Sequence, residues 1–276
     1  MVIVGAGLGG IDRRAHSYGP RMSDDDLVLL RSEGAIRVLT LNRPDSRNAF
    51  NDDLKLAFVD RLRELARDQE ARAVVLTGAG AAFSGGGDVS NFANRYAFEN
   101  RFYWMREARL LADEMLRCHL PIVAALNGPA VGLGCSIAIM SDLVLIEEGA
   151  FMCDPHVGAG LVAADGGAVL WPLLMSYLKA KEYLLLGERI PAAECVNLGL
   201  ANRVVPKGNA VAEAMKLAQR LAELPWQAVQ ETKRAVNLHL QDAAMRVMPM
   251  ATTAESESFN TEAVQSFMDR FGVKGD

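Results

Sequence analysis

The chain has 276 residues, a net charge of −5, 50% hydrophobic residues and 24 glycines. The acidic balance gives no general attraction to nucleic acid, and no apolar run reaches the about 18 residues that a membrane span needs. Length and apolar content together allow one large buried core with an appendage.

The opening MVIVGAGLGG places Gly5, Gly7 and Gly10 in the G-x-G-x-x-G spacing of a dinucleotide loop. That fingerprint needs a full strand before it, a helix after it and an acidic residue about 20 positions on, whereas IDRRAHSYGPR is polar and turn-like. Residues 1–22 are therefore read as an N-terminal extension, and they lack the long apolar core of a secretory leader. Leu27 to Asn42 reads as a hairpin turning at Ser32-Glu33-Gly34. Phe50, Leu54, Ala57, Phe58, Leu62 and Leu65 recur at helical spacing and predict a helix to about Asp68. Ala73 to Thr77 is strand-like, followed by the loop AGAAFSGGGD and a helix expected from about Asp88. Ser90 to Asn100 shows little periodicity and reads as a loop or broken helix suited to a substrate lid.

Phe102 to Cys118 is expected to be helical and leads into PIVAALNGPAVGLGCSIAIMSD, Pro121 to Asp142. There a buried strand, Ile122 to Leu126, is stopped by Asn127-Gly128-Pro129, and Gly132 and Gly134 open a helix of small residues. LVLIEE and AFMC, ending at Cys153, read as strands, and DPHVGAGLVAADGG follows as a second loop-rich stretch. Helices at Ala168 to Met175, Lys179 to Leu186 and Pro191 to Leu198 and the strand ANRVV close the core near Pro206. From Asn209 only helices are expected, and Phe259, Ala263, Phe267 and Phe271 form an apolar face that must pack on the core or on another subunit. Cys118, Cys135, Cys153 and Cys195 lie far apart without a C-x-x-C, as in a reduced, cytoplasmic protein. The four histidines form no ligand spacing, so no metal is expected.

Two strand, glycine loop, helix units in one chain suggest two backbone N–H donors converging on one oxygen, an oxyanion hole. AFSGGGDV (82–89) resembles the first oxyanion loop of the crotonase superfamily, the enoyl-CoA hydratases and isomerases. NGPAVGLGCSIAIMSD (127–142) resembles the second, and NRPDSRNAF (42–50) the opening motif. The resemblance runs from about Leu27 to near the C-terminus. It implies an α/β fold: a crotonase (ClpP-like) spiral core of ββα units over residues 23–206, and an all-helical oligomerisation segment over 207–276. It also implies an acyl-CoA thioester substrate, coenzyme A entering only as part of that substrate with no tightly bound cofactor, and a homotrimer or hexamer.

The resemblance assigns the oxyanion donors to the N–H groups of Gly87 and Leu133. It places coenzyme A near Arg47 and Ala49, with Gly85, Asp88, Val89 and Pro155 completing the substrate-binding set. Arg43 and Arg47 are charges suited to phosphate, although Arg43 in particular could equally be a solvated surface residue. Asp88 and Asp142 read also as caps or scaffold. Where hydratases of this family carry two glutamates, this chain has Ser136 and His156. A serine is no carboxylate base, so two-glutamate hydration is not expected.

His156, nine residues before Asp165, offers instead an acid–base group whose tautomer and pKa a carboxylate would set. With Trp171-Pro172 following, this segment resembles 6-oxocamphor hydrolase, a crotonase relative that cleaves a carbon–carbon bond in a β-diketone. Asp165 could alternatively cap the helix that follows, with Asp154 as the reserve carboxylate. Three functions stay open: enolate chemistry on an acyl-CoA, hydrolysis of a β-diketone, and acyl-CoA binding without catalysis.

Overall fold

The computed structural model describes residues 27–92 and 98–272. The Gly5–Gly10 motif, the rest of the 1–22 extension and part of the expected lid lie outside them. Strands β1 (Val28–Glu33) and β2 (Ile36–Leu41) form the expected antiparallel hairpin, with its turn at Gly34 and Ala35. Beyond β2 the sheet is parallel. It runs β1-β2-β3-β4-β6-β9, with β3 at Ala73–Gly78, β4 at Ile122–Leu126, β6 at Leu143–Glu147 and β9 at Arg203–Val205. A second sheet of three short strands joins β5 (Ala130–Val131), β7 (Phe151–Cys153) and β8 (Ile190–Pro191).

The inner strands β3 and β4 are buried along their whole length because both faces are covered. Alternate residues separate to opposite sides. Val74 and Leu76 of β3 join the core with helices α1 (Asp52–Leu65), α2 (Phe98–Arg117) and α3 (Leu133–Met140), while Ala73 and Val75 join one with Ala214 and Ala218 of α7 (Ala210–Ala222). Between β7 and β9 lie α4 (Gly167–Leu174), α5 (Tyr177–Leu186) and α6 (Ala192–Asn197). The tail finishes with α8 (Trp226–Ser258) and α9 (Glu262–Arg270).

Several expectations shift. The helix expected from about Asp88 is a single 3-10 turn, Val89–Asn91, capped by the Asp88 carboxylate on the Ser90 N–H. Helix α2 starts at Phe98 rather than Phe102. The aromatic face of the tail is used largely within the chain. Phe259 is buried and makes edge contacts with Phe92 and Trp104, at 5.5 and 5.8 Å between centroids, in a cluster with Ala159 and Leu161. Of the rest of the expected stripe, Phe267 is half-buried, and Ala263 and Phe271 are exposed. The reason is proximity: the apolar rim at Ala159 and Leu161 needs cover, and α8 is long enough to bring it. Its near end is fastened by Lys233, whose Nζ donates to the Leu120 carbonyl and to Asp142, each at 2.7 Å.

If Phe259 covers this chain's own core, Phe259→Ala removes a fully buried ring and costs roughly 3 kcal/mol. Denaturant titrations at protein concentrations a hundredfold apart are expected to show the same loss, whereas a loss that grows on dilution would place Phe259 between subunits.

Candidate active site

Three segments meet to build the site. Asn48 is buried in the left-handed conformation (φ 55), where asparagine is among the few tolerated side chains. Its Nδ2 donates to the carbonyls of Ala79, Ala82 and Phe83, and its Oδ1 accepts from the Arg43 N–H. Ser84 Oγ donates to the Asn48 carbonyl at 2.8 Å. The first glycine loop is then fixed to the second. Ser84 N–H donates to Pro129 O at 3.2 Å, and Val131 N–H to Ser84 O at 3.0 Å. Gly86 has φ 91, and a Cβ there would stand 2.6 Å from the Val131 carbonyl, so no side chain fits between the loops.

Among the N–H groups of the described residues that this arrangement leaves without a backbone partner are those of Gly87 and Leu133. Phe50 N–H bonds Gly86 O, and Asp88 N–H bonds Phe50 O, which passes over the N–H of Gly87. Leu133 is the first residue of α3, where an N–H has no partner within the helix. Both residues line the same pocket.

Beside them lies a charged cluster. Asp154, 1% exposed, follows β7, and His156 Nδ1 donates to its Oδ1 at 2.5 Å. The other ring nitrogen, Nε2, faces Asp165 Oδ2 at 3.4 Å, while Ser136 Oγ donates to Asp165 Oδ1 at 3.0 Å. The ring borders the second loop: its Cε1 is 3.5 Å from where a Cβ on Gly132 would stand. Helix α4 is capped by Gly166, not by Asp165, so the capping alternative fails and the Asp165 carboxylate is turned to the pocket. Gly167 is needed for packing, since a Cβ on it would lie 2.1 Å from Asp154 Oδ2. That oxygen is buried at the start of α4, whose positive end favours a carboxylate.

Each imidazole nitrogen faces a carboxylate oxygen, so each is best matched as an N–H donor and the ring as a cation. Burial pulls the His156 pKa down, but the charges of Asp165 and Asp154 outweigh it and hold it well above its ordinary value. With both ring nitrogens turned to carboxylate oxygens, His156 stands in this arrangement as an N–H donor between Asp154 and Asp165. Asp154, His156 and Asp165 could each present one ligand atom to a metal ion.

Of the residues expected at the site, Gly85, Gly87, Asp88, Val89, Leu133, Pro155, His156 and Asp165 line the same pocket, a cavity of about 130 Å³. Arg47 and Ala49 stand outside it. Arg47 is exposed and accepts the Gly85 N–H on its carbonyl at 2.8 Å. The Ala49 carbonyl accepts from Arg43, which also bonds Asp88 at 3.0 Å, so Arg43 is a bracing residue rather than a solvated one. Sequence reasoning missed Lys55, Trp104 and Glu255, which also line the pocket. Two of these left a signal: Lys55 falls on the apolar stripe of α1 with Phe58 and Leu62, and Glu255 between Ala251 and Phe259 on that of α8.

A family model described as enoyl-CoA hydratase/isomerase matches residues 31–276. The chain belongs to the enoyl-CoA hydratase/isomerase family, within the crotonase superfamily. It is 30% identical over 257 residues to a short-chain-enoyl-CoA hydratase of Clostridium acetobutylicum, covering 90% of this chain and 97% of the relative. A crotonyl-CoA hydratase of Syntrophomonas wolfei is 30% identical over 88% of this chain and 94% of its own. Among solved structures, an enoyl-CoA hydratase/isomerase from Mycobacterium paratuberculosis superposes with a TM-score of 0.85 at 48% identity, covering 89% of this chain and 98% of that one.

Two outcomes are expected of this geometry. Gly167→Ala forces a methyl group against Asp154 and destabilises by roughly 2 kcal/mol. Gly158→Ala, in open space two residues beyond His156, stays within about 0.5 kcal/mol; similar losses for both in denaturant titrations would contradict the packing argument. The second concerns protonation. Because the folded pKa of His156 lies above its unfolded value of about 6.5, its contribution to stability is complete below that value and is lost as pH rises through the folded pKa. Nitrogen-15 spectra are expected to show a doubly protonated ring at pH 7.5, and Asp154→Asn to bring its titration down. A neutral ring at that pH would refute the assignment.

Proposed function

We propose that this chain acts on an acyl-CoA thioester, removing a proton from the carbon beside the thioester carbonyl and holding the enolate oxygen on the Gly87 and Leu133 N–H groups. The observation that carries this reading is the pair of spare N–H donors beside a carboxylate that faces the same pocket. In the reaction the Asp165 carboxylate takes the α-proton as the carbonyl oxygen gains charge. His156, kept cationic between its two carboxylates, orients Asp165, and Ser136 holds the second Asp165 oxygen. The proton then returns to carbon, at the same position or further along a conjugated chain, which gives exchange or isomerisation. Donors placed where charge develops are worth about 3 kcal/mol each.

Coenzyme A in this reading lies along the Arg47 and Ala49 side of the first loop, where Arg47 is free to meet phosphate and the Ala49 carbonyl keeps a second lone pair for a base edge. The apolar residues exposed on α5 and α8, among them Leu178, Leu185, Met245 and Met250, support assembly into a trimer or hexamer. Four free cysteines are in keeping with a reducing, cytoplasmic setting. None of the described helices is long and apolar enough to cross a membrane.

A second reading is favoured by the bond network at Asp165. Held by Ser136 and His156, the same carboxylate could take a proton from water as that water attacks a β-diketone carbonyl between the two donors, splitting the carbon–carbon bond. The third, binding without turnover, leaves the charged cluster without a role.

The test is deuterium incorporation from D₂O at the α-carbon of butanoyl-CoA and its longer homologues, followed by mass spectrometry, with β-diketones assayed in parallel. Exchange is expected in the wild type and a loss of about a hundredfold or more in Asp165→Asn. Crotonyl-CoA hydration is expected to fall far below the about 10 per second typical of enzymes. Hydration at that rate would overturn the mechanism, diketone cleavage without exchange would select the second reading, and binding with neither activity the third.

A further inference from the structure

The peptide unit that carries the Gly87 N–H lies in the run Gly85-Gly86-Gly87, where the backbone has the most conformational freedom to lose and no side chain to hold it. What fixes it is a short pairing with the segment 42–50. The Gly86 carbonyl, the other end of that peptide unit, accepts the Phe50 N–H at 2.7 Å, and the Phe50 carbonyl accepts the Asp88 N–H at 3.1 Å. Phe50 and Gly87 form an isolated parallel bridge in this way. Two such bonds alone hold a glycine run loosely, since each is worth little net against bonds to water.

Arg43 closes the bridge from the side. Its Nη1 donates to the carbonyl of Ala49, the residue before Phe50, and at 3.0 Å to Oδ2 of Asp88, the residue after Gly87. The other Asp88 oxygen accepts from the N–H and the hydroxyl of Ser90, at 3.1 and 2.6 Å, so the carboxylate is held on both sides. The side chains of Arg43 and Asp88 are only 18% and 13% exposed, which spares the pair much of the screening that weakens surface ion pairs. The base of Arg43 is tied down as well: its N–H donates to Asn48 Oδ1 at 2.9 Å, and its carbonyl accepts the Asn48 N–H at 2.8 Å. The guanidinium therefore bridges the two segments at the place where an oxyanion donor is carried.

Donors of this kind act through rigid placement, and a misplacement of about an ångström costs up to about a hundredfold in rate. Resting on the acyl-CoA reading above, we propose that Arg43 is a positioning residue for the reaction: through Ala49 and Asp88 it holds the Gly87 N–H in line with the thioester carbonyl. It acts from behind the first loop, whose Gly87 and Asp88 line the pocket.

The experiment is infrared difference spectroscopy of butanoyl-CoA, labelled with carbon-13 at the thioester carbonyl and bound to the full-length protein, together with kcat and KM for α-proton exchange of the same thioester. In the wild type the carbonyl band is expected below its frequency in water, because two fixed N–H groups draw charge onto the oxygen. In Arg43→Met the band should move back towards the free position, and kcat should fall about tenfold or more, a larger change than that in KM. A merely structural role would lower the folded fraction and leave the band of the bound thioester where it was. Asp88→Ala breaks the same ion pair from the other side, should reproduce the shift, and decides the matter if Arg43→Met does not fold. The double variant should lose no more in kcat than the worse single one, as residues acting through one contact do. An unshifted band in either folded variant, or losses in kcat that add, would overturn the inference. Wild-type protein that fails to bind the thioester, or binds it with no carbonyl shift, would strike the acyl-CoA reading instead.

Discussion

The site depends on the contact between two glycine loops that leave the sheet from neighbouring strands, β3 and β4. Ser84 sits at their junction, donating and accepting across to Pro129 and Val131 while its hydroxyl holds the Asn48 carbonyl. Asn48 in turn secures three carbonyls of the first loop, groups that would otherwise be buried without donors. Only a backbone without a side chain at Gly86 lets the loops approach this closely. Once they are fixed, the two N–H groups that the ladder and the helix leave over are fixed as well, and rigid placement is what makes such donors effective.

Charge is the second determinant. Two carboxylates and one imidazole share a small volume, and the arrangement that satisfies most hydrogen-bonding groups is a cation between two anions, with Ser136 taking one remaining oxygen. The cluster as a whole keeps a negative charge beside donors that would stabilise another. The small size of Ser136 matters as much as its hydroxyl: it lies against Gly166 in a space where a longer side chain would displace Asp165.

The helical tail adds to the site what the α/β core lacks. Helix α8, stapled at one end through Lys233 and at the other through Phe259, carries Glu255 to the pocket and positions α9 to present Phe267. The outer surface of the same helix keeps exposed apolar residues such as Met245 and Met250. One element therefore serves both the pocket and a surface able to meet another copy.

Elements with a strong local code were legible in the sequence. The buried strands of residues 73–78 and 122–126 and the periodic helix from Asp52 are set by short-range patterning of apolar residues, and the glycine loops by the backbone freedom that only glycine supplies. The same local code gave the loops' resemblance to a family and, through it, Gly87 and Leu133. Side-chain pairing across distant segments carried no such signal. Whether Asp165 capped a helix or faced His156, and whether Asp154 was a reserve or a direct partner, turned on a few ångströms set by the seating of Gly167, at the start of α4, against Asp154. Arg43 and Arg47 look alike in sequence, yet one is braced against Asp88 and the other is exposed, because the left-handed turn at residues 47 and 48 sends them apart. Lys55 and Glu255 are separated by most of the chain, and only the return of α8 over the pocket brings them to one wall. Local sequence determined the loops and their spare donors; the tertiary structure alone decided which charges meet, since that depends on contacts between segments that neither segment encodes by itself.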